Sequence, residues 1–151
     1  MVSLYALHGI AMPRQNRTMK VLGFYKKMKL TILMDSGSTH NFLDVRVAKQ
    51  VGGPIQKIPR RGVLVANGEQ LDCDSMIQSF SWMMQGKLYS ANMLLMPIKG
   101  RDMILGMKWL TSLGSVLWDF AAMTMQFTKQ VPSRVFRKTL RRSSLLKCNY
   151  C

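Results

Sequence analysis

The residues of this sequence best suited to chemistry are Asp35, Ser36 and Gly37, which directly follow an apolar run at 30–34. Such a run is typical of a strand buried on both faces, and it delivers Asp35 to the edge of the core. Carboxylates hydrolyse peptide bonds in pairs that share one proton. The ionised partner takes a proton from water, while the protonated partner polarises the scissile carbonyl.

The chain carries one such motif and no internal repeat, so a second carboxylate of this kind would have to come from a second copy. In a symmetric dimer, Gly37 would let two backbones approach closely, and the hydroxyl of Ser36 could form a hydrogen bond across the two-fold axis. This chemistry requires neither a metal nor a cofactor. The alternative is that a tripeptide this short occurs by chance and marks a glycine-containing turn after a strand.

Alternating and continuous apolar runs, separated by turn residues, predict a mostly β domain. One helix is predicted over Asn41 to Val51, with Asn41 or Asp44 as its cap and Gly52 as its stop. A second is predicted over Met107 to Leu113. The predicted strands are 3–7, 19–24, 29–34, 63–66, 70–73, 77–84, 88–96, 116–120 and 123–127, with Asn67-Gly68 as a hairpin turn.

Four segments, in this order, resemble a known family. ILMDSGSTHNF at 32–42 resembles the active-site segment of the proteases of plant gypsy-class LTR retrotransposons. VANG at 65–68 is similar to the hairpin of their flap. MILGMKWL at 103–110 resembles the apolar-apolar-Gly segment and C-terminal helix of retropepsins, and WDF at 118–120 is similar to the strand that follows.

The resemblance implies a retropepsin-like acid protease fold, a closed barrel with one lobe per chain and one or two short helices. It also implies a homodimer that acts as an aspartic-type endopeptidase on a polyprotein. By this resemblance Asp35 is the catalytic residue. The remaining site residues are Ser36, Gly37, Ser38 and Thr39 in the active-site loop, Ala66, Asn67 and Gly68 in the flap, and Ile104, Leu105 and Gly106 as core support of the active site.

Three parts are expected: an N-terminal strand and basic flank at 1–18, a protease domain at 19–127, and a basic tail at 128–151. Residues 1–29 carry six basic and no acidic side chains. The tail holds seven basic and no acidic residues and is expected to be disordered or marginally helical. Basic flanks can bind nucleic acid by neutralising phosphates, which makes a small nucleic-acid-binding protein an alternative function. The other interpretation is that these charges are simply solvated.

Three cysteines, an odd number, imply no disulfide framework and favour a reducing interior. Cys148 and Cys151 have the spacing of half a zinc site, but no second pair follows, so no metal site is predicted. No apolar run is long enough to span a bilayer. The sequence therefore predicts an intracellular protein without a membrane segment, in the cytoplasm or in a virus-like particle.

Several other residues have structural interpretations. Asp102 is expected in a turn or cap, and no spacing rule pairs Asp102 or Asp119 with Asp35. Trp82, Trp109 and Trp118 are expected in the core. His40 could contact substrate, but a surface or structural role is the simpler expectation. The unusual number of methionines, 14, favours a further alternative, a catalytically inactive remnant of the same fold.

Overall fold

Ten strands and two short helices make up the part of the chain that this computed structural model describes, residues 18–64, 70–129 and 142–147. The prediction of a mostly β chain with two short helices is therefore confirmed. In chain order the elements are β1 (Thr18–Tyr25), β2 (Met28–Asp35), β3 (Phe42–Asp44), α1 (Val45–Val51), β4 (Gln56–Leu64), β5 (Gln70–Met84), β6 (Lys87–Met96), β7 (Met103–Leu105), α2 (Met107–Ser112), β8 (Val116–Asp119), β9 (Thr124–Lys129) and β10 (Arg142–Lys147).

The strands predicted at 19–24 and 29–34 are present and form a hairpin. Tyr25 pairs with Met28 across a two-residue turn in which Lys26 has a φ of 52°. Positive φ in such a turn matches the right-handed twist of the flanking strands. The last four residues of β2 are all buried, so this strand carries the chain into the core and ends there at Asp35.

Seven strands form one sheet in the order β1, β2, β7, β3, β6, β5, β4, and β1 also pairs with β5. The short strand β7 is central to this arrangement. It runs parallel to β2, with Met34 opposite Leu105, and antiparallel to β3, with Phe42 opposite Ile104. The end of β2, the start of β3 and the end of β7 therefore meet at one place in the sheet.

The helix predicted over 41–51 begins later than expected. Phe42–Asp44 is instead the strand β3, because its buried residues pair with β6 and β7, and such distant partners are invisible to local sequence patterns. Asp44 then caps α1, since its side chain accepts a hydrogen bond from the backbone N–H of Arg46 at 2.8 Å. Gly52 ends the helix with a φ of 65°, as predicted.

An aromatic cluster lies in the larger of two groups of buried apolar side chains. The ring of Trp109 lies 6.4 Å from that of Trp82 and 6.1 Å from that of Phe127. The core positions predicted for Trp82 and Trp109 are confirmed, whereas Trp118 is half-buried and stacks on Phe120. Much of the methionine content has a packing role, because six methionines have no exposed surface: Met19, Met34, Met84, Met93, Met103 and Met125.

The remaining strands form a second, three-stranded sheet in the order β10, β9, β8. In β10, Ser144 pairs with Phe127 and Lys147 with Thr124, and the side chain of Leu146 is buried. Residues 142–147 thus differ from the disordered or marginally helical tail expected there, because they complete a sheet and add to the core. The first two residues of that predicted tail, Thr128 and Lys129, belong to β9. Its remaining residues, 130–141 and 148–151, and the strand predicted at 3–7 lie outside the described residues. Within the described part of the chain, no helix has the length and apolar character needed to cross a membrane.

Candidate active site

Asp35 ends β2 as a buried carboxylate whose side chain is held by its own loop. The residue is only 5% exposed. Its Oδ1 accepts a hydrogen bond from the backbone N–H of Gly37 at 2.8 Å, and its Oδ2 accepts one from the hydroxyl of Ser38 at 3.1 Å. A hydrogen bond from the N–H of Ser38 to the carbonyl of Asp35, 3.2 Å long, closes the turn. Both carboxylate oxygens are therefore fixed in position.

The two residues after Asp35 are exposed, while Ser38 is buried. A Cβ atom at Gly37 would lie 3.1 Å from Oδ1 of Asp35, closer than most real Cβ contacts. Glycine thus lets the backbone N–H approach the carboxylate without crowding it. The tip of the loop faces outward in a single chain, whereas the carboxylate lies behind it.

The loop is also bound to the junction between β7 and α2. The N–H of Met107 donates to the carbonyl of Ser38 at 2.7 Å, and the N–H of Lys108 donates to the carbonyl of Thr39 at 3.2 Å. Gly106 directly precedes the two donors of these bonds. A Cβ atom there would lie 2.6 Å from the carbonyl oxygen of Ser38 and would also collide with that of His40, so only glycine fits. Two predicted site segments, 35–39 and 104–106, are thus brought into direct contact.

Asn41 is a positioning residue that sequence reasoning assigned only as a possible helix cap. It is 5% exposed, and its Oδ1 accepts a hydrogen bond from the N–H of Gly106 at 3.1 Å. Its Nδ2 donates to the carbonyl of Asn92 at 3.5 Å, and its own carbonyl accepts from the N–H of Leu94 at 2.9 Å. Asn41 therefore links the loop, β6 and the end of β7. The only sequence feature that could have indicated this role is the place of Asn41, a polar residue between the 35–37 motif and an apolar run.

The other core-support residues lie in β7 and divide between the two cores. Leu105 packs in the larger cluster and Ile104 in the smaller one, beside Phe42. Just before them, the carboxylate of Asp102 accepts a hydrogen bond from the N–H of Thr31 at 2.7 Å, which ties β7 to β2. Asp119 accepts two backbone hydrogen bonds in the turn after β8. Both aspartates are therefore held by structural hydrogen bonds, as was expected of Asp102.

Asp44 shows how a buried carboxylate is stabilised outside the loop. It is 2% exposed and accepts hydrogen bonds from the N–H groups of Ile98 and Arg46 and from the Nε of Arg46, each 2.8 Å long. Burial alone would raise the pKa of Asp44, but the bonds from Ile98 and Arg46 outweigh it and hold the pKa below its usual value. Both oxygens of this carboxylate are therefore used to cap α1 and to bind the N–H of Ile98.

Thr39 and His40 continue the loop at its exposed end. The hydroxyl of Thr39 and Nδ1 of His40 are 2.7 Å apart and share a hydrogen bond. Partial burial lowers the pKa of His40, and the charges of Lys108 and Arg61 lower it further. The charged form of His40 is therefore disfavoured beside these two cations.

The predicted flap residues Ala66, Asn67 and Gly68 lie outside the described residues. The strands on either side, β4 and β5, are antiparallel as the hairpin prediction requires, and their last described pair is Leu64 with Gln70. β4 is longer than predicted and contains Pro59. The register shifts between Lys57 and Arg61, around this proline, which has no N–H to donate to a ladder.

No cluster of three metal-ligating side chains occurs among residues 18–64, 70–129 and 142–147. Cys73 is buried as a free thiol whose Sγ lies 3.5 Å from the carbonyl of Leu95, a contact that belongs to packing. What the site offers chemically is a single carboxylate, held by a glycine N–H and a serine hydroxyl at the end of a buried strand.

A mostly β chain that presents one such carboxylate on an Asp-Ser-Gly loop has the architecture of one lobe of an aspartic protease. The family model described as retroviral aspartyl protease matches residues 14–132, and the chain belongs to this family.

Among solved structures, the chain resembles the retroviral protease-like domain of Ddi1 from Leishmania major, with a TM-score of 0.58. The two are 13% identical, and the match covers 73% of this chain and 87% of that one. This likeness supports the retropepsin-like fold predicted from the sequence. A comparison with curated proteins found no match.

Proposed function

We propose that this chain is one half of an aspartic endopeptidase whose other half is an identical chain. The observation that carries the proposal is the carboxylate of Asp35, fixed through both oxygens by Gly37 and Ser38. The buried carboxylate of Asp44 and the half-buried one of Asp102 are bonded elsewhere, so neither is available as a partner. The exposed Ser36 and Gly37 leave the loop open to the same loop of a second copy.

In the proposed dimer, two Asp35 carboxylates share one proton, because two like charges at hydrogen-bond distance cannot both ionise. The ionised carboxylate takes a proton from a water molecule, and the protonated one polarises the scissile carbonyl. Ser36 would form a hydrogen bond across the two-fold axis, and Thr39 would extend the loop towards substrate. The hairpin tip at 66–68 would act as a flap that opens for the peptide and then excludes water.

The proposed substrate is a polyprotein, and the proposed origin is a plant gypsy-class LTR retrotransposon. Both rest on the resemblance of the 32–42 segment, supported by membership of the retroviral aspartyl protease family. A location in the cytoplasm or in a virus-like particle would follow from that origin.

The direct test incubates the refolded full chain with a peptide library at mildly acidic pH. Cleavage is expected from the wild type, none from Asp35→Asn, and none in the presence of a statine-type inhibitor. Asp119→Asn is the matched control, because Asp119 lies in an exposed turn and asparagine keeps the side-chain acceptor. Cleavage that persists in Asp35→Asn would refute the proposal.

A second candidate is a catalytically inactive domain of the same fold. It is favoured by the burial of Asp35 in the single chain, where both oxygens already accept hydrogen bonds from the loop. Analytical ultracentrifugation separates the two candidates when combined with the cleavage assay. A dimer without Asp35-dependent turnover would support the inactive domain.

A third candidate, nucleic-acid binding, is favoured by the charge of the tail. Deleting residues 128–151 is a poor test, because β10 pairs with β9 and its loss would disturb the fold. Replacing Arg134, Arg137 and Lys138 with glutamine removes charge and leaves β10 in place. If the tail binds nucleic acid, affinity for an oligonucleotide should fall and its salt dependence should become less steep. Unchanged affinity would show that these three charges do not bind nucleic acid.

A further inference from the structure

A cavity of about 470 Å³ lies beside the loop and is lined by three basic residues from three different elements. His40 comes from the active-site loop, Arg61 from β4, and Lys108 from the first turn of α2. The hydrogen bond from the N–H of Lys108 to the carbonyl of Thr39 holds that turn of α2 against the loop. The cavity is therefore built on the same segment that carries Asp35.

The described lining of this cavity offers its cations no acidic side chain, neither aspartate nor glutamate. Among the described residues, neither Arg61 nor Lys108 forms an ion pair. The adjacent Arg60 behaves differently, because its guanidinium lies 2.8 Å from the carboxylate of Asp72. Two neighbouring arginines on β4 thus have distinct roles, one paired and one facing the cavity.

The position of His40 in this cavity also lowers its pKa. Burial is the main cause, and the charges of Lys108 and Arg61 add to it. Both cations therefore act on the same imidazole, as their positions around one cavity require. An anion placed beside Arg61 and Lys108 would offset both of these charges.

The other lining residues favour an anion that also has an apolar part. Ile58, Met76, Leu94 and Trp109 provide apolar walls, and Asn41 and Asn92 provide amides. An acidic side chain on a peptide matches both features, because its methylene stem packs on apolar groups while its carboxylate meets the cations. A nucleic-acid backbone would bring its phosphates without an apolar stem and would leave these walls uncovered.

We propose that this cavity binds a glutamate or aspartate side chain of the peptide substrate, so that cleavage sites carry an acidic residue near the scissile bond. The inference rests on the proposed function, since it assigns a substrate class to that site. Arg61 and Lys108 are the specificity-determining residues, and His40 adds a hydrogen-bond donor.

The test measures binding rather than turnover and uses the full chain with Asp35→Asn, so that an absence of catalysis does not affect it. Two blocked peptides, identical except for glutamate or glutamine at one position, are titrated by calorimetry or NMR. The glutamate peptide is expected to bind about tenfold more tightly, which is typical for a charge-assisted hydrogen bond. Equal affinities would overturn the proposal.

Arg61→Gln and Lys108→Gln are each expected to reduce this preference at least threefold, whereas the matched control Arg60→Gln should leave it unchanged. A loss with Arg60→Gln as large as that with Arg61→Gln would mean that net charge, and not the cavity, selects the peptide. Inorganic phosphate should compete only weakly, because it lacks an apolar stem. Tighter binding of a short oligothymidylate at the same residues would assign the cavity to nucleic acid and would also overturn the proposal.

If the wild type cleaves peptides without preferring acidic ones, this inference fails while the proposed function stands. If the Asp35→Asn chain binds the glutamate peptide selectively but the wild type never cleaves, the proposed function fails while the acidic-peptide site remains.

Discussion

Gly106 lies so close to the carbonyl oxygen of Ser38 that a Cβ atom on the glycine would be 2.6 Å from it. This contact joins the end of β7 to the loop that holds Asp35. The loop meets it with backbone atoms, which cannot move away as the end of a flexible side chain could. The position of the carboxylate thus depends on a residue far along the chain.

Gly106→Ala is expected to displace the loop and to lower the free energy of unfolding by about 3 kcal/mol, as overpacking of a tight site does. Urea unfolding measures the loss. Gly53→Ala is the matched control, because a Cβ atom there would meet only side-chain atoms at ordinary distances of 3.6 Å or more. The same loss in both variants would contradict the importance of the Gly106 contact.

Asn41→Ala should cost about 1–3 kcal/mol of stability, since it leaves the buried N–H of Gly106 without its acceptor. Asn92→Ala removes an amide of the same type from an exposed residue and should cost less. Thermal or urea unfolding of the two variants gives the comparison. If Asn41→Ala is no more harmful than Asn92→Ala, the amide of Asn41 does not position the loop.

Ser36 and Ser38 should affect different equilibria. Ser38 is buried against Asp35, so Ser38→Ala should lower the stability of the single chain by about 1 kcal/mol. Ser36 is exposed, so Ser36→Ala should leave that stability unchanged and should weaken dimerisation instead. Urea unfolding and sedimentation equilibrium measure the two effects separately. An unchanged dimer constant for Ser36→Ala would argue against a hydrogen bond across the axis.

The stability of the protein should fall as the pH drops below 6.5, partly because of His40. Burial, Lys108 and Arg61 lower its pKa in the folded state from the ordinary value of 6.5, so the unfolded chain binds more protons in the window below 6.5. His40→Gln should flatten the dependence of urea midpoints on pH in that window. An identical slope in wild type and variant would show that the environment of His40 does not disfavour its charge.

Local features of the sequence were sufficient for much of this fold. The predicted strands 77–84 and 88–96 left Gln85 and Gly86 between them, and both residues have positive φ in the observed turn. Gly52 marked the end of α1. The motif at 35–37 indicated a loop after a buried strand, and Asp35 lies there.

The errors came from pairing between distant residues. Phe42 lies in a strand because Leu94 and Ile104 pair with it, and β10 exists because β9 is beside it. The role of Asn41 was missed for the same reason, since its partner Gly106 is 65 positions away. A local pattern carries no information about such partners.

The central claim is that two chains each contribute one Asp35 to a single reaction. Wild-type chains and Asp35→Asn chains are mixed in known ratios, dissociated, reassembled and assayed at constant total protein. If each active site needs two intact carboxylates, an equal mixture retains about one quarter of the wild-type activity, because only the symmetric wild-type dimers work. Activity that falls in direct proportion to the wild-type fraction, to about one half in the equal mixture, would contradict the shared dyad.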